Sequence, residues 1–240
     1  MASDKTEMRK KKDVPQSLDE YPTFYGMTLD TEQKIFRDAI WNPDIDVVFC
    51  NARAGSGKTT IAVGVANLLV KYGFYKQIIY IVSPTQEEKQ GYLPGTQAEK
   101  SAPYMEPLRE ALLKIGEDPN LLIVQEDDEV SKYGGYVKCM THTYTRGVNF
   151  EDAVVICDES QNYFGDELKK VLTRICSNCK TIVIGHTGQC DLYKFPEKSG
   201  FAKYLEHFRG HDRTAICELT NNYRGWVSQW ADMLEFWNKI

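Results

Sequence analysis

The stretch DVVFCNARAGSGKTT, residues 46–60, decides the fold class. Its first half is a short apolar run, β-branched and aromatic. Its second half is a turn of small residues. TTIAVGVANLLVKYG (59–73) then has helical spacing and ends at Gly73, a C-cap. Strand, glycine-rich turn and helix are the setting in which ARAGSGKTT (52–60) reads as a phosphate-binding loop, with Ala52 in place of the first glycine. Gly55 and Gly57 let the backbone fold tightly round a phosphate and aim its N–H groups inward. The helix that follows offers its positive end to the anion. Lys58 is expected to reach the β- and γ-phosphates, and the Thr59 hydroxyl to hold Mg²⁺. The expected ATP-binding residues of the loop are therefore Ala54, Gly55, Ser56, Gly57, Lys58, Thr59 and Thr60.

Working outward, QIIYIVS (77–83), NLLIVQ (120–125), YVKCM (136–140), DAVVICDE (152–159), TIVIG (181–185) and TAICEL (214–219) are further strand candidates. Between them lie helical patterns such as DELKKVLTRI (166–175), and GWVSQWADMLEFW (225–237) closes the chain as an amphipathic helix. Apolar strands alternating with helices predict an α/β fold, a mostly parallel sheet with helices on both faces. Residues 1–26, with a charged start and then Pro15, Pro22 and Gly26, read as a flexible basic arm before a domain over 27–240. The stretch 85–135 is the least readable.

Five polar positions extend the phosphate-loop reading. Asp158, at the end of VVICDE (154–159), suits a Mg²⁺ partner, and Glu159 beside it suits the polarisation of an attacking water. Gln33, in LDTEQKIFRDAI (29–40), carries an amide able to present both a donor and an acceptor to adenine, or is a surface residue of a helix. Gln189, after the strand 181–185, would sense the γ-phosphate, and Arg224 in LTNNYRG (219–225) would stabilise its charge; either is also an ordinary loop residue on spacing alone.

Composition sets limits. The chain has 240 residues, 42% of them hydrophobic, which suits one large domain and excludes a disordered chain. No run of about 18 apolar residues marks a membrane span, and the N-terminus lacks the apolar core of a secretory signal. Seven scattered cysteines predict reduced thiols and a cytoplasmic setting. The net charge is −5; residues 1–12 contribute +3, so the body is acidic, which argues against broad coating of nucleic acid but leaves room for a local groove. Cys176, Cys179, His186 and Cys190 have the ligand types of a zinc site. Their spacing misses the compact patterns, and a strand separates the first pair from the second.

Taken together these pieces resemble the PhoH-like ATPases, relatives of the superfamily 1 helicase core. The resemblance rests on SPTQEEKQGYLPGTQAEKSAPYMEPL (83–108), YTRGVNFEDAVVICDESQN (144–162), LTRI (172–175) and GHTGQCDL (185–192), in order and spacing, over about residues 28–237. Ser83 and His186 depart from the family, which usually has Arg and Asp there. The resemblance implies a single RecA-like domain that binds and hydrolyses ATP with Mg²⁺. Lys58 and Thr59 would hold phosphate and metal, Asp158 the metal, Glu159 the water, and Gln189 and Arg224 the γ-phosphate. Ring-forming members imply a homo-oligomer, such as a hexamer, and helicase kinship implies single-stranded RNA or DNA as partner. A second cation for the site would then come from a neighbouring subunit, with Arg146 and Arg174 as candidates. A small-substrate phosphotransferase and a non-catalytic ATP switch are the alternative readings.

Overall fold

The computed structural model describes residues 14–83, 97–124, 134–145, 147–188 and 196–233. Seven strands form one sheet: β1 Val47–Ala52, β2 Gln77–Val82, β3 Ile123–Val124, β4 Val137–Thr141, β5 Ala153–Asp158, β6 Lys180–Gly185 and β7 Thr214–Leu219. Their order across the sheet is β3-β4-β2-β5-β6-β1-β7, and every neighbouring pair is parallel. The α-helices are α1 Thr31–Trp41, α2 Lys58–Lys71, α3 Gln97–Lys114, α4 Pro119–Leu122, α5 Gly165–Leu172, α6 Phe201–Phe208 and α7 Trp226–Asp232. None among the described residues is long and apolar enough to cross a membrane.

Side chains alternate across a strand, so each central strand feeds two cores. Val48, Cys50 and Ala52 of β1, with Tyr80 of β2 and Ile156 of β5, pack with Phe36 and Ile40 of α1, Ile61 and Val65 of α2, and Leu108 and Leu112 of α3. Phe49, Ile79, Ile81, Val155 and Val183 pack on the other face with Leu168 and Val171 of α5 and Phe201 and Leu205 of α6. Each Val, Leu, Ile or Phe side chain among them, fully buried, contributes about 1.5–3 kcal/mol relative to exposure. The α/β expectation, with helices on both faces, is what the chain adopts.

Particular elements differ from their sequence readings. Among the described residues of NLLIVQ the strand is Ile123–Val124. Asp118 accepts a hydrogen bond from the Asn120 N–H at 2.9 Å, and Pro119 supplies a ready first helical residue, so the stretch begins as the helical turn α4. The segment 14–26, read as arm, is packed: Val14, Leu18 and Phe24 lie in the α1/α2 core, and the buried Arg37 donates to Asp19 at 2.7 Å. Residues 1–13 lie outside the described residues. Gly64 of α2 makes the seat for Phe24; a Cβ there would stand 2.8 Å from Phe24 Cζ. In α7 the apolar stripe faces water, with Trp226 76% and Trp230 74% exposed.

Candidate active site

The site lies where the fold places ligands in open α/β sheets, beyond the carboxyl ends of the strands. The loop between β1 and α2 turns through Gly55 and Gly57, both at positive φ (71° and 82°). A Cβ on Gly55 would stand 2.5 Å from Asn222 Oδ1 and 2.8 Å from Arg224 Cγ, so glycine is required for the close approach of the segment after β7. That segment cradles the loop. The Arg53 N–H donates to Leu219 O at 2.9 Å, and the Tyr223 N–H donates to Gly55 O at 2.9 Å. Arg224 is exposed and lines the same cleft as Lys58 and Thr59.

Gln33 braces the loop from the other side. Its Nε2 donates to Ser56 O at 2.9 Å, while its Oε1 accepts from the Asp30 N–H at 3.1 Å, closing the N-cap of α1. Asp30 is a hub: its carboxylate accepts from the Gln33 N–H at 2.7 Å, from Asn221 at 2.9 Å, and from the Tyr223 hydroxyl. Burial works against that carboxylate, but these hydrogen bonds outweigh it and hold its pKa below the usual value.

Asp158 ends β5 on the same sheet face as Tyr80, which puts it over the start of α2. Its Oδ2 accepts from the Thr59 hydroxyl at 2.8 Å and from the Tyr80 hydroxyl at 2.6 Å. Asp158 is fully buried. Burial, and next the Glu159 charge, raise its carboxyl above the usual range; Lys58 and the two hydroxyls pull the other way. Burial and the Asp158 charge push the Tyr80 phenol well up, so it stays a donor. Glu159, whose backbone is left-handed (φ 48°, ψ 42°), stands with Oε1 3.2 Å from Lys58 Nζ. β6 lies between β1 and β5. Adjacent strands are about 4.8 Å apart, so the loop strand and the acidic strand are roughly 10 Å apart.

The structure thus brings Gln33, Ala54, Gly55, Ser56, Gly57, Lys58, Thr59, Thr60, Asp158, Glu159 and Arg224 to one edge of the sheet, most of them lining a cleft of about 420 Å³. The cleft runs on past Thr60 and Ile61 to Met27, Leu29, Pro107 and Ala111. Gln189 and Arg146 lie outside the described residues. Arg174 is on the opposite edge: its carbonyl accepts from Phe150, ahead of β5, so a six-residue strand of about 20 Å separates it from its own chain's phosphate loop. The thiols of Cys176 and Cys179 are on that far edge too, and the backbone of His186 follows β6 at the near one. No group of three or more metal-binding side chains occurs among the described residues, and Cys190 lies outside them.

Sequence reasoning passed over Tyr80, Gln161, Asn222 and Asp30. A tyrosine inside an aliphatic strand was the one available signal for Tyr80, since a buried hydroxyl needs a partner. Nothing local marks the others, whose partners are remote in sequence.

A family model described as PhoH-like protein matches residues 27–229. The PhoH-like protein of Bacillus subtilis (strain 168) is 37% identical over 177 residues, covering 72% of this chain and 52% of that protein. Protein PhoH of Escherichia coli (strain K12) is 34% identical over 172 residues, covering 71% of this chain and 47% of that one. The chain spans about half the length of these relatives. Among solved structures, the large terminase of bacteriophage HK97 superposes with a TM-score of 0.52 over 84% of this chain and 41% of that one, at 13% identity, a likeness of fold. The chain belongs to the PhoH-like family.

Proposed function

Proceeding from that membership, we propose that this protein is a Mg²⁺-dependent ATPase that acts with single-stranded nucleic acid and works as a homo-oligomer. The observation that carries the ATPase reading is the meeting of two strand ends: Lys58 and Thr59 at one, Glu159 at 3.2 Å and Asp158 at 2.8 Å from them at the other. The residues present fit the metal. The Thr59 hydroxyl and the Asp158 carboxylate are hard oxygen donors, the type Mg²⁺ takes. They also fit a phosphate, since the buried Ser56 hydroxyl of the loop has no hydrogen-bond partner among the described residues. Bound Mg²⁺ would neutralise charge on the phosphate oxygens.

The chain's own residues do the rest. The loop N–H groups and Lys58 orient the triphosphate. Glu159 takes a proton from water as the water oxygen bonds the γ-phosphorus. The bond from that phosphorus to the bridging oxygen breaks, which leaves ADP and phosphate. Arg224 steadies the charge. The nucleic-acid part is supported by the Asn-Tyr-Arg setting of Arg224 (222–224), which is similar to that of helicases.

Phosphate release from ATP, with Mg²⁺ and no added acceptor, tests the reading. Wild type should turn over, and single-stranded RNA or DNA should speed it more than duplex. Lys58→Ala should lose ATP binding. Glu159→Gln should bind ATP within about threefold of wild type and lose about 10²–10⁴ in rate, the contribution of a general base. Transfer only to an added small acceptor would instead favour a phosphotransferase, and binding without turnover a switch.

A further inference from the structure

One buried polar side chain at the site has no part in the chemistry above. Gln161 stands in the helical turn Ser160–Asn162 after β5 and is 3% exposed. Its amide Nε2 and Oε1 each meet a partner at the site. Nε2 donates to Glu159 Oε2 at 2.6 Å, and Oε1 accepts from the His186 N–H at 3.0 Å. The orientation follows from chemistry, because a carboxylate only accepts and a backbone N–H only donates. His186 begins the loop after β6, and that loop is tied at its next residue: the Thr187 N–H and hydroxyl donate to Asn51 Oδ1 at 3.0 and 3.2 Å. Contacts therefore run from the tip of β1, through the loop after β6, through Gln161, to Glu159 and Lys58. Gly185 leaves room for the link; a Cβ there would stand 3.0 Å from Gln161 Oε1.

Glu159 needs such a hold. Its side chain is 41% exposed, and its backbone is in the left-handed region that disfavours a residue with a Cβ. Oε1 faces Lys58 and Oε2 faces Gln161. A Lys58 engaged by phosphates would release Oε1, while the bond from Gln161 to Oε2 does not depend on the lysine. A carboxylate held by one oxygen presents the other in a fixed place; a carboxylate held by neither swings, or follows the lysine.

We propose that Gln161 is the positioning residue of the hydrolytic step: it holds Glu159 by Oε2, so that Oε1 alone meets the attacking water, and it ties that placement to the loop that starts at His186. This rests on the ATPase reading. Gln161 acts through Glu159 and touches no phosphate, so its loss should fall on turnover and spare binding. A misplacement of about 1 Å in such a group costs on the order of 10²-fold.

The experiment compares wild type, Gln161→Leu, Gln161→Glu, Glu159→Gln and the double variant Glu159→Gln/Gln161→Leu, in ATP affinity, kcat and melting profile. Gln161→Leu keeps the volume and loses both bonds. Its kcat should fall about 10–100-fold, with ATP affinity within about threefold of wild type. Gln161→Glu keeps the acceptor for His186 but sets a carboxylate against Glu159, so it should fall at least as far; it carries the comparison if the leucine variant melts as an unfolded chain. The double variant should be within about twofold of Glu159→Gln alone, because Gln161 has nothing left to position. A merely structural glutamine would lower both backgrounds by the same factor, and that result overturns the proposal. So does a Gln161→Leu turnover within about threefold of wild type while Glu159→Gln is inactive. A Glu159→Gln enzyme that keeps full rate removes the assigned base and the proposal with it. A wild-type chain that releases no phosphate removes the ATPase reading itself.

Discussion

Asp158 shows at the scale of one residue how far function is set against stability. Its carboxylate is enclosed, beside another acid, with two hydroxyls and one lysine to offset the loss of water. The folded pKa is raised, so the folded state holds the proton more tightly than the unfolded one. Stability therefore gains as pH falls from the raised value toward the usual carboxylate range, and the cost of the buried charge is felt above the raised value. Asp158→Asn should melt a few degrees higher than wild type at pH 8 without nucleotide, with the difference shrinking toward pH 5. A lower melting point at pH 8 would mean that the charge is already fully compensated. The acid itself was legible in VVICDE, because a strand that ends in charge announces an edge. Its partner Tyr80 was not. Only the register Tyr80↔Ile156, set by sheet pairing, brings the phenol under Asp158.

At the scale of elements, the central strands were legible because a parallel strand buried on both faces reads as an unbroken apolar run. The phosphate loop and the start of α2 were legible because their residue types have few other uses. The long α3, the eight-residue α6 and the packed segment 14–26 were not. Each has one apolar stripe diluted by charge, and the last is held by remote contacts. Gly64 carries such a contact. Alanine is the better helix former by about 1 kcal/mol, so a sequence argument favours Gly64→Ala. The structure reverses the sign: a Cβ would press into the Phe24 ring at 2.8 Å, an overlap that costs typically 1–3 kcal/mol. The variant should melt a few degrees below wild type and be cut sooner by protease within 14–27. An unchanged melting point would show that Phe24 moves aside freely.

For the whole molecule, the geometry bears on assembly. Arg224 lines the cleft of its own chain, whereas Arg174 is at the opposite sheet edge and would have a role at the proposed ATP site only if that site belonged to a neighbour. In a shared site, specific activity should rise with protein concentration. Subunits with Lys58→Ala, mixed with subunits inactivated at Arg146 or Arg174, should regain part of the turnover that each lacks alone. A protein that sediments as a monomer with ATP and is fully active at nanomolar concentration would exclude this. The order of strands has a consequence of another kind. β1 carries the phosphate loop and is emitted early, yet both its neighbours, β6 at 180–185 and β7 at 214–219, come from the last third of the described chain. A ribosome must deliver nearly all of these residues before the loop has walls. Until then the nascent chain holds a complete phosphate-loop sequence without the strands and the Asn222–Arg224 segment that pack against it, so the loop is walled only once β7 has been made.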